Sequence, residues 1–158
     1  MLSQAEADRL RIMPKRLLTL EDVALPSAGD STTFEAESLN RREKFLIDAN
    51  RRGKIALLRC TYQERYQVVD ILARLDVGGT PHTNPSMEEV PLAILKDHNG
   101  VTLPCPHLHF YVEGFDDRWA IPAPLDSFPR LGDLTATLEA FMRYCGIAEA
   151  PSTQGALY

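Results

Sequence analysis

The clearest periodic pattern in the chain is a two-residue alternation of apolar and polar residues at 107–113. Leu108, Phe110 and Val112 alternate there with ionisable or polar residues, and successive side chains of a β-strand point to opposite faces. The pattern therefore predicts a strand with one apolar face against a core. Weaker alternation predicts four further strands near 32–38, 43–51, 54–62 and 66–77.

Helical spacing of apolar residues occurs near the two ends of the chain. Ser3 and Glu6 have the spacing of a capping box, and a short helix to about Arg11 is expected before the next proline. Near the other end, Asp133 is a predicted N-cap and Gly146 a predicted C-terminal stop. The sequence thus predicts an α+β fold, a single antiparallel β-sheet of about five to six strands with an N-terminal and a C-terminal helix packed on it.

The segment 78–106 has the least regular pattern and contains five prolines. Long segments without regular structure are uncommon inside compact domains and are often functional. Part of it, residues 86–104, is equally compatible with a loop or an extra hairpin. We find no internal repeat and no boundary, so a single domain over 1–158 is expected.

Composition is that of a globular chain, with 44% hydrophobic and 25% charged residues. No apolar run approaches the roughly 18 residues of a membrane helix, and the N-terminus lacks the apolar core of a secretory signal. The three cysteines have no CxxC spacing, which favours reduced thiols. These features predict a cytoplasmic protein without a membrane partner.

Charge is distributed unevenly along the chain. The net charge is −5, which argues against bulk nonspecific binding to nucleic acid. Residues 41–65 nevertheless hold eight cations and three acids, a balance of +5 that leaves −10 for the remainder. Such a segment is suited to contacting phosphates, and it is also compatible with a solvated hairpin face.

Candidate chemistry lies on the polar side of the 107–113 strand. Alternation places His107, His109, Tyr111 and Glu113 on one face. Histidine titrates near neutrality, so the two imidazoles suit general acid and general base chemistry. In this interpretation Tyr111 and Glu113 orient the imidazoles.

Upstream residues are candidates to complete this centre. Arg74, helped by Arg65, would stabilise the charge of a phosphate. His82 and Asn84 lie in the loop after the Arg74 strand, and the loop is expected to fold over the end of that strand. Asn84 before a proline is also typical of a purely structural turn. Together these side chains are the parts needed for RNA cleavage without a metal.

Two other interpretations of the same face remain open. The first is a divalent metal site with His82, His107, His109 and Glu113 as ligands; without such a site, no cofactor is expected. The second is a solvated surface or one side of a protein interface. A polar strand face is most often of this second kind.

Specific short motifs run through nearly the whole chain. They are Gln4-Ala5-x-Ala7-Asp8, Thr61-Tyr62-Gln63-x-Arg65, Ala73-Arg74-Leu75-Asp76, Gly79-x-Pro81-His82-x-Asn84-Pro85, Cys105-Pro106-His107-Leu108-His109-x-Tyr111, Glu113-Gly114, Trp119-Ala120 and Phe141-Met142-x-Tyr144-Cys145. Together they resemble an uncharacterised family of small bacterial proteins often found on prophages and other mobile elements. The resemblance implies no particular reaction, but that setting favours toxins, host-takeover factors and inhibitors of host defence over metabolic enzymes.

The sequence and this resemblance lead to one functional prediction and two alternatives. The prediction is a small enzyme acting on nucleic acid, a metal-independent endoribonuclease of toxin-like or host-takeover type with RNA as its partner. The alternative from another class is a non-catalytic inhibitor or binding protein, anti-CRISPR-like or antitoxin-like, whose partner is a host protein or a cognate protein. The third is a metal-dependent enzyme with a His/His/Glu site.

Overall fold

The structure is a computed structural model that describes residues 1–18, 23–51 and 59–147. Its helices are α1 (Gln4–Ile12) and α2 (Leu134–Tyr144), with a 3-10 helix over Ala93–His98. Its strands are β1 (Lys15–Leu17), β2 (Ser31–Ser38), β3 (Lys44–Asn50), β4 (Cys60–Tyr66), β5 (Asp70–Val77), β6 (His82–Thr83), β7 (Thr102–Leu103), β8 (His107–Val112) and β9 (Asp116–Pro122).

In the described part of the chain, seven antiparallel strands form the main sheet in the order β1-β2-β3-β4-β5-β8-β9. The predicted α+β fold, with a helix from each end of the chain, is confirmed, and the sheet is one strand larger than expected. Segment 78–106 contains β6, β7 and the 3-10 helix, and β6 and β7 form a separate two-stranded sheet. No helix among these residues is long and apolar enough to cross a membrane.

One strand prediction was displaced along the sequence. A strand was expected near 54–62, whereas β4 runs over Cys60–Tyr66, and residues 54–58 lie outside the described part. Tyr62 to Arg65 therefore lie within a strand. The buried side of β4 carries Cys60, Tyr62, Glu64 and Tyr66, and the single acid among them hid the alternation.

The predicted ends of both helices are confirmed. Ser3 and Glu6 make the reciprocal hydrogen bonds of a capping box, and the Asp133 carboxylate accepts from the backbone N–H of Ala136. Gly146 follows α2 with a φ of 86°, and a Cβ there would lie 2.3 Å from the carbonyl oxygen of Met13. Only glycine fits at this position, because the chain after α2 passes so close to the backbone at the end of α1.

The two faces of the main sheet differ in polarity. On one face, apolar side chains of the strands form a core with α1 and α2, with Leu10, Tyr62, Leu75, Leu108 and Phe141 among its buried members. The other face carries a row of polar residues paired across adjacent strands. This row consists of Thr33, Asp48, Gln63, Arg74 and His109.

A buried ion pair interrupts the apolar core beneath α2. The Lys15 ammonium lies 2.9 Å from Glu64 Oε1, and both side chains are 0% exposed. The ammonium also donates to the carbonyl oxygens of Arg11, Met13 and Cys145, so its three N–H groups have acceptors apart from Glu64. Burial raises the pKa of Glu64 to about 7, against the opposing effect of the Lys15 charge.

This raised pKa predicts a pH-dependent stability that the isosteric Glu64→Gln variant removes. The folded protein keeps the Glu64 proton up to about pH 7, whereas the unfolded chain loses it near the ordinary glutamate pKa of 4.5. The unfolding free energy of the wild type, relative to Glu64→Gln, should therefore fall between these pH values, by on the order of 1–3 kcal/mol. Urea unfolding of both proteins at pH 4.5 and pH 8 measures the difference, and a difference that stays flat or grows with pH contradicts the expectation.

Candidate metal centre

Two adjacent strands bring the candidate residues together. In the antiparallel pairing of β5 with β8, Arg74 lies opposite His109 and Asp76 opposite His107. Residues two apart in a strand share a face, so all four side chains extend from the polar side of the sheet. Thr61 on β4 pairs with Asp76, and its hydroxyl donates to Asp76 Oδ1 over 2.9 Å.

Both histidine rings point their Nε2 atoms at one carboxylate oxygen. Nε2 of His107 lies 3.1 Å from Asp76 Oδ2 and Nε2 of His109 lies 3.2 Å from the same atom. One ligand atom from each residue lies within 4.8 Å of the other two, a spacing that suits a shared metal ion. The histidine side chains are 1% exposed, whereas the Asp76 side chain is 19% exposed.

The remaining ring nitrogens face backbone carbonyls. His107 Nδ1 lies 3.2 Å from the oxygen of Pro104, and His109 Nδ1 lies 2.8 Å from the oxygen of Asp117. Carbonyl and carboxylate oxygens only accept, so both nitrogens of each ring face an acceptor. A neutral ring whose hydrogen lies on Nδ1 donates to the backbone carbonyl and presents Nε2 as an acceptor, whereas a protonated ring donates from both nitrogens.

With neutral rings this arrangement directs two acceptor nitrogens at a third acceptor, and with protonated rings it directs two donors at that carboxylate. Burial alone raises the pKa of Asp76, but hydrogen bonds donated by His107 and His109 and the charge of Arg74 outweigh that effect and hold the pKa well below its usual value. Asp76 is therefore a charged carboxylate. Two imidazole lone pairs and a carboxylate converge stably only around a positive charge, either a metal ion or a proton on the imidazoles.

Arg74 supplies part of that positive charge. Its Nη2 lies 3.0 Å from His109 Nε2, its Nε lies 3.4 Å from Asp76 Oδ2, and its Nη1 lies 2.5 Å from Asp117 Oδ2. These contacts do not extend to His107 in the described structure. Arg74 therefore satisfies the lone pair of His109 and leaves that of His107 facing Asp76.

His82 reaches the centre from the loop after β5. Gly78 and Gly79, with φ values of 73° and 133°, turn the chain so that the His82 ring lies 4.4 Å from the His109 ring and 5.9 Å from the His107 ring, centroid to centroid. Its Nε2 lies 2.9 Å from the Arg118 carbonyl oxygen. Burial, followed by the neighbouring histidines, lowers the pKa of His82. The loop thus folds over the strand end as expected, and His82 stands beside the three converging ligand atoms.

Asn84 anchors this loop to the edge of the sheet. Its side-chain oxygen accepts from the Ala120 N–H over 2.8 Å, and its amide donates to the Ala120 carbonyl over 2.8 Å. The amide also donates to the His98 carbonyl. A single side chain thereby takes the place of a neighbouring strand along β9 and covers part of its edge. Its position fits the structural alternative stated for Asn84.

Tyr111 and Glu113 do not share the face of the histidines, so that part of the expected arrangement is wrong. The register of β8 against β9 shifts between Phe110 and Val112, and such a bulge breaks strict alternation. Tyr111 is buried in the core, and its hydroxyl donates to the Leu2 carbonyl oxygen. The Glu113 carboxylate accepts from the backbone N–H of Gln4. Both residues hold the start of α1 against the sheet.

Arg65 lies on the polar side of the sheet but away from the histidines. Its guanidinium pairs with both oxygens of Asp48, at 2.6 and 2.9 Å. Asp48 also accepts from Thr33 and Gln63. This network links β2, β3 and β4. It keeps the guanidinium of Arg65, on β4, bound to Asp48, and β4 is separated from β8 by β5.

Two acids at the centre were absent from the candidate residues. Asp76 alternates with Arg74 along β5, and that spacing was the available signal. Asp117 follows the β8–β9 turn, and the register that brings its backbone oxygen to His109 is visible only in the fold.

Cys105 lies beside the histidines but is not an activated thiol. Its Sγ lies 3.7 Å from His107 Nδ1, and the thiol donates to the Thr80 carbonyl oxygen. Burial raises the pKa of Cys105, which keeps the thiol protonated.

Comparison with other proteins identifies the family. No curated protein and no solved structure matches the chain. The model of a family of unknown function, DUF6978, matches residues 2–147, which include both helices and every strand given above. The chain therefore belongs to the DUF6978 family, a family of unknown function.

Proposed function

We propose that this protein binds a divalent transition-metal ion through Asp76, His107 and His109 and uses it to hydrolyse its substrate. The supporting observation is the convergence of two Nε2 atoms on Asp76 Oδ2 while both Nδ1 atoms face backbone carbonyls. Histidines that ligate metals are typically fixed by such a second hydrogen bond, which sets the ring orientation and leaves the other nitrogen for the ion.

The ligand set indicates the kind of ion and its role. Two imidazoles and one carboxylate suit Zn²⁺ or Fe²⁺, whereas Mg²⁺ and Ca²⁺ prefer oxygen ligands alone. Three protein ligands leave a coordination position for water, whose pKa a bound zinc ion lowers to about 7. His82, whose ring lies 4.4 Å from the His109 ring centroid to centroid, is suited to accepting a proton from that water.

The metal-dependent alternative is thus retained with Asp76 in place of Glu113 and with His82 beside the three ligands instead of among them. A metal-free acid–base pair has to hold its two nitrogens on different atoms of a phosphodiester. Here both nitrogens lie within 3.2 Å of one oxygen, which favours a shared ion. RNA as the substrate stays a prediction, as does the non-catalytic binding alternative, and neither draws support from the contacts of the described residues.

The first expected outcome concerns metal content. Protein purified without chelators should carry about one equivalent of a first-row divalent ion, measured by elemental analysis, with affinity determined by calorimetry. Loss of a direct ligand in Asp76→Asn or His109→Ala should weaken binding by more than about 100-fold, since loss of an outer-shell partner already costs 10- to 100-fold.

His98→Ala is the matched control, because His98 lies on the 3-10 helix, outside the three-ligand group. Its metal affinity should equal that of the wild type. Circular dichroism of each variant separates loss of the site from loss of the fold. Wild-type protein with less than about one-tenth equivalent of metal and no binding heat would contradict the proposal.

A second expected outcome concerns RNA. If RNA is the substrate, cleavage should require the metal, stop with a chelator, return with Zn²⁺ or Fe²⁺, and be absent in His107→Ala. Gel electrophoresis of a labelled RNA measures it, with His98→Ala again as control. Cleavage that persists in chelator would support metal-independent catalysis instead, and intact RNA under all conditions would remove RNA as a substrate.

A further inference from the structure

We infer that the metal-loaded centre takes a substrate bearing an oxyanion, a carboxylate or a phosphate, and that Arg74 binds this group beside the ion. The inference rests on the proposed metal centre and adds the chemical class of its substrate. Arg74 and a metal ion at this centre compete for the same atom, His109 Nε2.

His109 Nε2 cannot serve Arg74 and a metal ion at the same time. Arg74 Nη2 lies 3.0 Å from this nitrogen, and a neutral imidazole with its hydrogen on Nδ1 has one remaining lone pair in the ring plane. A metal ion held by His109 therefore displaces Nη2. The guanidinium nevertheless stays at the centre, because its Nη1 is held by Asp117 over 2.5 Å.

The displaced N–H then faces the open side of the ion. The Arg74 and Asp117 side chains are 27% and 22% exposed, whereas those of the two histidines are 1% exposed. Solvent and substrate therefore approach the centre from the Arg74 side. A group on the open coordination position meets the guanidinium, whose planar donors match the paired oxygens of a carboxylate or phosphate.

The charge balance also favours an anion. A divalent ion and Arg74 carry three positive charges, against two negative charges on Asp76 and Asp117, so the loaded centre has a net charge of +1 with neutral histidines. A neutral ligand would leave this excess charge uncompensated, and the freed guanidinium donor would make only a neutral hydrogen bond, which is weaker than one to an anion. Arg65 does not compete for the anion, because both oxygens of Asp48 engage it.

Cobalt-substituted full-length protein tests the inference, because the visible spectrum of Co²⁺ reports on its open coordination position. The Co²⁺ protein is titrated with inorganic phosphate, with acetate and with neutral acetamide. We expect saturable spectral changes with phosphate or acetate and none with acetamide. A response to phosphate alone assigns the oxyanion as phosphate, and a response to acetate assigns a carboxylate.

Arg74→Gln should lower anion affinity without lowering metal affinity. Removal of the competitor for His109 should leave Co²⁺ affinity equal or higher. Anion affinity should fall by about 10- to 100-fold, the worth of a hydrogen bond to a charged group. Arg65→Gln is the matched control, with the same substitution on the same side of the sheet, and should change neither affinity.

Asp117→Asn provides a second variant that retains the guanidinium. It removes a negative charge next to Arg74 and keeps an amide oxygen that accepts from Nη1, so anion affinity should rise while Co²⁺ still binds. A wild-type protein that binds Co²⁺ but responds equally to acetamide overturns the inference alone. The inference is also overturned if the anion affinity of Arg74→Gln stays within twofold of the wild type. It is overturned as well if a folded Arg74→Gln protein loses metal binding and anion binding in parallel. Failure of the wild type to bind Co²⁺ overturns the proposed metal centre itself.

Discussion

The pairing of β5 with β8 is the constraint on which the rest of the site depends. Its register sets Asp76 opposite His107 and Arg74 opposite His109, and a shift of β8 by one residue would turn both histidines toward the apolar core and away from Asp76. That register is held from the other face, where Leu75 and Leu108 are paired and buried under the helices. The hydrophobic face thus determines the geometry of the polar one.

Burying two imidazoles in such a sheet requires partners for each polar atom. Backbone carbonyls from Pro104 and Asp117 take the Nδ1 sides, so the fold itself fixes which nitrogens face Asp76. Carbonyls at these positions come from the segments that flank β8 and from β9. The chain around the histidines is therefore part of the site, because it decides their tautomer and direction.

The segment between β5 and β8 supports the site from the outer edge of the sheet. Asn84 pairs with the backbone of Ala120 as a strand would, and His82 contacts the Arg118 carbonyl on the same strand. These contacts cover part of the edge of β9 and hold the His82 ring against His109. A loop with little regular structure is thereby fixed by side-chain hydrogen bonds to backbone groups.

Local sequence was sufficient for the two helices, for most strands of the main sheet and for part of the site. Alternation located β8 and its histidines, and the caps Ser3 and Asp133 marked both helices, because these signals depend on near neighbours alone. The position of Arg74 on the polar face of its strand followed from the same two-residue period. Tyr111 and Glu113 were misplaced because a bulge, which depends on how β8 pairs with β9, breaks that period without a local mark.

By itself, then, the sequence determined that two histidines share one strand face in an α+β protein. Only the tertiary structure decided that Asp76 is their partner. It also decided that Arg74 pairs with Asp117 and that Arg65 pairs with Asp48. The reason is physical. Side-chain direction along a strand is a local property of the backbone, whereas the partner across a strand pair is chosen by register, and register is set by packing of the whole sheet against α1 and α2.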